Sequence, residues 1–326
     1  MTTKQDLIED VGDAIRLLEP DDTLAYIFPG QGSQYVGMVK DVAASSSSAR
    51  RIFDDADEIL RFGLTALCFE GPEDELRLTS NAQPAILTAS LAMLAAALEA
   101  GALRGRPAFM AGHSLGQYTA LVAAGSLKFE DALRLVRERG LLMERAGRER
   151  PGTMAAIVGL DEATVAGICE ESGAEACNYN LESQMVVGGE PEAVERARRL
   201  AKERGGKGLP IKVSGAFHTS LMRPAAEGLR AVLAGTAIAA PVSPVISNVT
   251  GEPVGSSDET LNDLADQIIS PVRWHQSINL MLSRGTKTFV EIGPGRVLTT
   301  MLKRHPADFE TITLNSFESI ARPASV

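Results

Sequence analysis

The chain has 326 residues, 44% hydrophobic and only 5% aromatic, which is enough apolar mass for a large core and more than one folding unit. A formal net charge of −10 argues against a nucleic-acid partner, because phosphate contacts need a basic surface. The thiols Cys68, Cys169 and Cys177 match neither a zinc site nor a C-x-x-C motif, so no metal is expected and a reducing, cytoplasmic setting is.

Residues 1–22 read as an acidic, helix-like segment without the basic start and apolar centre of a signal peptide. "LAYIFPGQGSQ" (24–34) predicts a strand ending in a Pro/Gly turn. "SSSSARRIFDDADEIL" (45–60) predicts a helix whose serines supply the N-cap. A long apolar helix follows, entered near Gln83–Pro84 with proline in its first turn. Its core (85–103) carries Thr, Ser and Glu and has no basic anchors, so it predicts a buried helix and no membrane partner. "PAFMAGHS" (107–114) predicts a strand entering a tight turn, and "LGQYTALVAAG" (115–125) the helix after it, ending at Gly125. Residues 128–147 form another amphipathic helical pattern.

At Pro151 the texture changes. Residues 152–213 run strand, helix, strand, strand, helix, strand, with Asp161 capping the first helix. That order is the split βαβ signature of a ferredoxin-like unit. Beyond it, 216–235 predicts a loop leading to a helix, and "PVISNVTG" (244–251) a strand. Two helices split by Pro271 follow, then strand, Gly-Pro-Gly turn and helix over 286–304, and a loose tail from 318. The expected fold is α/β. A mostly parallel sheet domain (1–151 and 214–326) has helices on both faces, and a ferredoxin-like subdomain (152–213) is inserted in it.

Gly112-His113-Ser114-Leu115-Gly116 is a G-x-S-x-G motif between a predicted strand and a predicted helix, the setting of a nucleophile elbow. Such a turn strains the serine backbone and lifts its hydroxyl clear of the sheet, with helix N–H groups beneath it for an oxyanion. The serine needs a base. Of the four histidines, His113 is its immediate neighbour and reads as structural. His275 and His305 read as helix or surface residues. His218 sits where the small unit returns to the large one and is the candidate base. The "FPGQGSQ" loop allows close backbone approach, so the Gln31 and Leu115 amides could form an oxyanion hole. It is not a dinucleotide fingerprint, because Tyr35 stands where the third glycine belongs. A hydrolase on the same elbow would want a late histidine with an acidic partner. His305 is late, but no acidic partner near it stands out.

The segments "FPGQGSQ", "GHSLGQYTALVAAG", "RERGLLM", "AFHTSLM", "QIISPVRW" and "VEIGPGRVL" occur in this order across residues 24–304. As a set they resemble the malonyl-CoA:acyl carrier protein transacylases and the related acyltransferase domains of polyketide synthases. The resemblance implies an α/β-hydrolase-like large domain with a ferredoxin-like insert. It implies malonyl transfer from malonyl-CoA to an acyl carrier protein without a cofactor; a monomer is expected. By position it implies Ser114 as nucleophile, His218 as base, Arg139 as the carboxylate binder, and Gln31 and Leu115 as oxyanion donors. Gln267 would hold His218 through its backbone carbonyl, and Asn180 would belong to a loop near the acyl pocket. Without the resemblance, Arg139 reads as one helical arginine among Arg134, Arg137 and Arg145. Gln117 stands where that family usually has glutamate, and Leu181, Glu182 and Ser183 depart from its usual loop. The basic residues Lys202, Arg204, Lys207 and Lys212 fit either a docking surface for an acidic carrier or a solvated helix face.

Overall fold

A computed structural model describes residues 11–103 and 105–321. Residues 1–10 of the predicted helix-like segment and residues 322–326 of the predicted tail lie outside the described residues. The first sheet is parallel, in the order β2-β1-β7-β8, with β1 Glu19–Phe28, β2 Gly105–Gly112, β7 Thr288–Ile292 and β8 Glu310–Leu314. The second is antiparallel, in the order β4-β5-β3-β6, with β3 Thr153–Val158, β4 Glu175–Leu181, β5 Gln184–Gly189 and β6 Lys207–Ile211.

Both faces of the parallel sheet are covered, as a sheet built from strand–helix–strand crossovers requires. Along β1 the side chains alternate: Tyr26 and Phe28 enter one apolar cluster, Ala25 and Ile27 another. The first cluster packs against helix Thr79–Glu99, most of whose length is buried. The second packs against Trp274 and Ile278 of helix Trp274–Ser283. The antiparallel sheet is covered by helices Glu162–Ser172 and Pro191–Glu203, which close a separate core around Ile157, Ile168 and Val187. Asp161 caps the first of these helices by accepting from the Thr164 N–H.

Five features differ from the sequence expectation. Helix Thr79–Glu99 starts before Pro84, which therefore lies inside it. A proline there leaves the carbonyl of residue 80 without its helical donor; Arg137 Nη1 donates to that carbonyl at 2.6 Å. Residues 244–251 form isolated bridges, not a strand: Val245 pairs with Met110 and Ile246 with Pro253, after which the chain turns at Gly251 (φ +75°). β8 was not foreseen, and part of the expected tail is a helix, Phe317–Ala321. β1 begins earlier than expected, its first residues pairing with Gly105–Pro107, and helix Val11–Arg16 precedes it with Val11 and Ile15 buried.

Candidate active site

β2 ends at Gly112, and the elbow helix Gly116–Ala123 begins just after Ser114. The turn admits no side chain at its flanks. A Cβ on Gly112 would lie 1.9 Å from the Gly116 carbonyl carbon, and one on Gly116 would lie 2.2 Å from the Phe28 oxygen. Ser114 is left-handed at φ +51°, a conformation that costs of order 1–3 kcal/mol and persists only where neighbours enforce it. They do. Its N–H donates to Asn248 Oδ1 at 2.7 Å, and its carbonyl accepts from Gln267 Nε2 at 3.0 Å.

His218 comes from the loop that returns the chain from the antiparallel sheet, and it too is left-handed at φ +62°. Its Nδ1 lies 2.7 Å from the Gln267 backbone carbonyl and its Nε2 lies 2.9 Å from Ser114 Oγ. A carbonyl only accepts, so the ring proton sits on Nδ1 and Nε2 turns a lone pair to the serine hydroxyl. Burial, and after it the positive charge of Arg139, pull the imidazole down to about 3. It is therefore neutral, and able to accept a proton, at ordinary pH.

Arg139 projects from helix Phe129–Glu149 and is 1% exposed. Its Nη1 donates to Gln83 Oε1 at 2.6 Å; its Nη2 reaches Ser114 Oγ at 3.1 Å and Gln267 Oε1 at 3.0 Å. Its guanidinium carbon stands 5.6 Å from the Tyr118 ring centroid. Burial lowers its pKa from the ordinary value, but a guanidinium remains a cation in proteins. Among the described residues no carboxylate pairs with it. A buried cation without a counter-ion is costly, and an incoming anion removes that cost.

These groups open on a cavity of about 1000 Å³ lined by Ser114, Arg139, His218, Gln31, Leu115 and Phe217 among others. Besides Arg139, ionic side chains at its lining are Asp74, Arg77, Glu144, Arg148 and Lys212.

The acyl transferase domain family matches residues 25–314. A malonyl CoA-acyl carrier protein transacylase of Bacillus subtilis (strain 168) is 44% identical over 303 residues, covering 91% of this chain and 95% of the relative. The chain belongs to this family of acyltransferases. Among solved structures, an acyl carrier protein S-malonyltransferase of Vibrio cholerae superimposes with a TM-score of 0.88 at 39% identity, covering 92% of this chain and 99% of that one. A malonyl-transacylase solved in complex with a type II polyketide synthase acyl carrier protein also gives 0.88, at 40% identity, covering 91% of this chain and 97% of that one.

In this acyltransferase Ser114 Oγ lies within hydrogen-bond reach of both His218 and Arg139, and Gln31 and Leu115 line the same cavity. Gln267 touches both sides of the pair, holding His218 with its backbone and Ser114 and Arg139 with its side chain. Asn180 stands apart. It does not line the cavity, and its Oδ1 lies 2.9 Å from His113 Nε2, whose ring packs against Trp274 at 5.7 Å between centroids. Asn178, on the same strand, lines the cavity instead. Of the four basic residues considered for docking, only Lys212 reaches the cavity; Arg204 is bound to Glu171.

Sequence reasoning missed Gln83, which steers Arg139, and Asn248, which clamps the elbow through Ser114 N–H and Gly112 O. Asn248 was hidden in a stretch that reads as a strand by its apolar residues. The turn signal was Asn248 followed by Gly251.

Proposed function

We propose that the protein transfers a malonyl group from malonyl-CoA to the phosphopantetheine thiol of an acyl carrier protein, through a malonyl-serine intermediate and by ping-pong turnover. The observation that carries this reading is the buried Arg139 guanidinium without a carboxylate partner, 3.1 Å from a serine hydroxyl that also meets a neutral imidazole. A cation in that place selects an acyl chain ending in a carboxylate, since a guanidinium grips a carboxylate with parallel hydrogen bonds.

Ser114 attacks the thioester carbon as His218 Nε2 takes its proton. The tetrahedral oxyanion is received by the Gln31 and Leu115 amides, and CoA leaves as a thiol that recovers the proton from His218. The carrier thiol then attacks the serine ester, with His218 again as base, and Ser114 is restored. The Gln267 carbonyl fixes the productive tautomer, the role an aspartate fills in a triad. Asn180 acts at one remove, by holding His113 behind the elbow. No metal or cofactor takes part. On this reading the large domain is 1–151 with 214–326 and the insert 152–213. The chain works as a cytoplasmic monomer without nucleic acid or membrane. One chain supplying every reacting group supports the monomer; the acidic composition and the buried helix Thr79–Glu99 support the rest.

Intact-protein mass after brief exposure to a panel of acyl-CoAs tests the reading. A malonyl adduct on Ser114 that passes to added carrier protein is expected. No adduct, or release of free malonate in place of loaded carrier, would refute it, the latter in favour of a hydrolase.

A further inference from the structure

Asp263 is a partly buried carboxylate outside the cavity lining. One of its oxygens accepts from Gln117 Nε2 and the other from Ser247 Oγ. At the other end of the Gln117 amide, Oε1 accepts from the Asn248 N–H and from Gln267 Nε2, both at 2.9 Å. Those two residues hold Ser114 by its backbone N–H and carbonyl, and Gln267 also holds His218.

An amide has a donor end and an acceptor end of almost the same shape. Gln117 can offer oxygen to two donors only while its nitrogen faces an acceptor, and Asp263 is that acceptor. With the amide turned over, its nitrogen would face two N–H groups and its oxygen a carboxylate, so both ends of the amide, the Asn248 N–H and the facing Asp263 oxygen would lose their pairing.

We propose that Asp263 is a positioning residue for the nucleophile elbow. It fixes which way the Gln117 amide points, and through Asn248 and Gln267 it sets Ser114 and His218. This rests on Ser114 and His218 being the reacting pair. No proton is transferred in the network; it requires one carboxylate and one amide across the 117–263 contact, and either order satisfies it. Asp263→Asn alone sets two NH₂ groups against each other, because Ser247, whose oxygen accepts from the Val249 and Thr250 N–H groups, gives its own proton to the remaining oxygen at 263. Gln117→Glu alone sets two carboxylates against each other. Gln117→Glu with Asp263→Asn restores every pairing. The charged or titratable groups around Asp263 are Asp266 on its own helix, which pairs with Arg230 from helix Arg223–Leu233, and Tyr118 on the elbow helix.

The test is the rate of Ser114 acylation by malonyl-CoA, followed by rapid-quench intact mass on the full chain between about pH 6 and 8, with thermal melts alongside. Asp263→Asn should slow acylation at saturating malonyl-CoA about tenfold or more, as small misplacements of reacting groups do, while half-saturation stays within about twofold. The double variant should return to within about threefold of wild type. Gln117→Glu should lose rate as pH rises, because one of its facing carboxylates must keep a proton; wild type and the double variant should not. A wild-type rate in Asp263→Asn, a double variant no faster than the slower single, or a Gln117→Glu profile like wild type would each overturn the proposal. Where Asp263→Asn does not fold, Gln117→Glu and the double variant differ only at 263 and decide it between them. Wild type that carries no adduct on Ser114 overturns the parent reading; a labelled wild type with an unrescued double variant overturns the positioning role alone.

Discussion

At the scale of single residues, Arg139 and His218 are buried for opposite electrostatic ends. Arg139 is 1% exposed and keeps its charge with no carboxylate paired to it among the described residues; His218 gives its charge up and is left with a free lone pair on Nε2. Arg139→Ala should lower kcat/KM for malonyl-CoA by about two to three orders of magnitude, the usual consequence of truncating one partner of a buried charge pair. Acetyl-CoA, which has no carboxylate to lose, should gain relative rate; competition between the two acyl-CoAs measures it, and an unchanged preference for malonyl would remove Arg139 from the site. For His218 the sign is fixed by its depressed value, about 3 against an ordinary value near 6.5. Above 6.5 neither folded nor unfolded chain binds a proton at this ring. Between 6.5 and 3 only the unfolded chain does, so stability falls as pH falls through that window. Urea unfolding from pH 7 to pH 4 should show a slope approaching about 1.4 kcal/mol per pH unit from this group, with buried His113, also depressed by burial, adding in the same direction. His218→Gln should reduce it, leaving the part due to His113.

At the scale of elements, the elbow depends on backbones passing without side chains between them. Gly116→Ala would drive a Cβ into the Phe28 carbonyl at 2.2 Å, backbone against backbone, with no flexible side chain to yield. The expected result is a folded or partly folded protein with serine acylation reduced by at least about a hundredfold, because the turn moves Oγ away from His218; malonyl adduct formation measures it. Such elements are where sequence is most legible. The elbow, the ferredoxin-like order and the Asp161 cap announce themselves through local glycines, periodicity and one capping side chain. The start of the long helix did not, because Pro84 reads as a first-turn residue until Arg137 is seen donating to the stranded Ser80 carbonyl. Asn248 did not, because its use is set by contacts 134 and 136 residues away in sequence, to Ser114 and Gly112. Asn180 belongs to the same lesson: its strand is legible, yet only packing decides that it meets His113 while Asn178 meets the cavity. Helix Val11–Arg16 was legible as a helix but not as part of the core. Ile15→Ala should cost about 2–4 kcal/mol in urea unfolding, the usual price of a fully buried isoleucine, and leave acylation by the folded protein unchanged.

At the scale of the whole molecule, a net charge of −10 works against an acidic partner at long range, so a carrier protein must be drawn by local charge. The cavity lining brings together cations from separate parts of the chain: Arg77, Arg148 and Lys212. The first is tied to Glu73 at 2.5 Å and the second lies 3.7 Å from Glu144. Lys212 is in no ion pair among the described residues. It follows β6, where the small sheet hands the chain back toward His218, so its charge stands on the approach to the reacting pair. Lys212→Glu should therefore raise the KM for carrier protein about three- to tenfold at low salt, chiefly through slower association, with kcat little changed. The effect should shrink as ionic strength rises past physiological values, since an exposed charge is screened over about 8 Å there. CoA is itself anionic, so acylation of Ser114 should be compared using malonyl-CoA and an uncharged malonyl-pantetheine; the uncharged donor should be unaffected. A carrier KM that does not move at low salt would place docking on another face of the molecule.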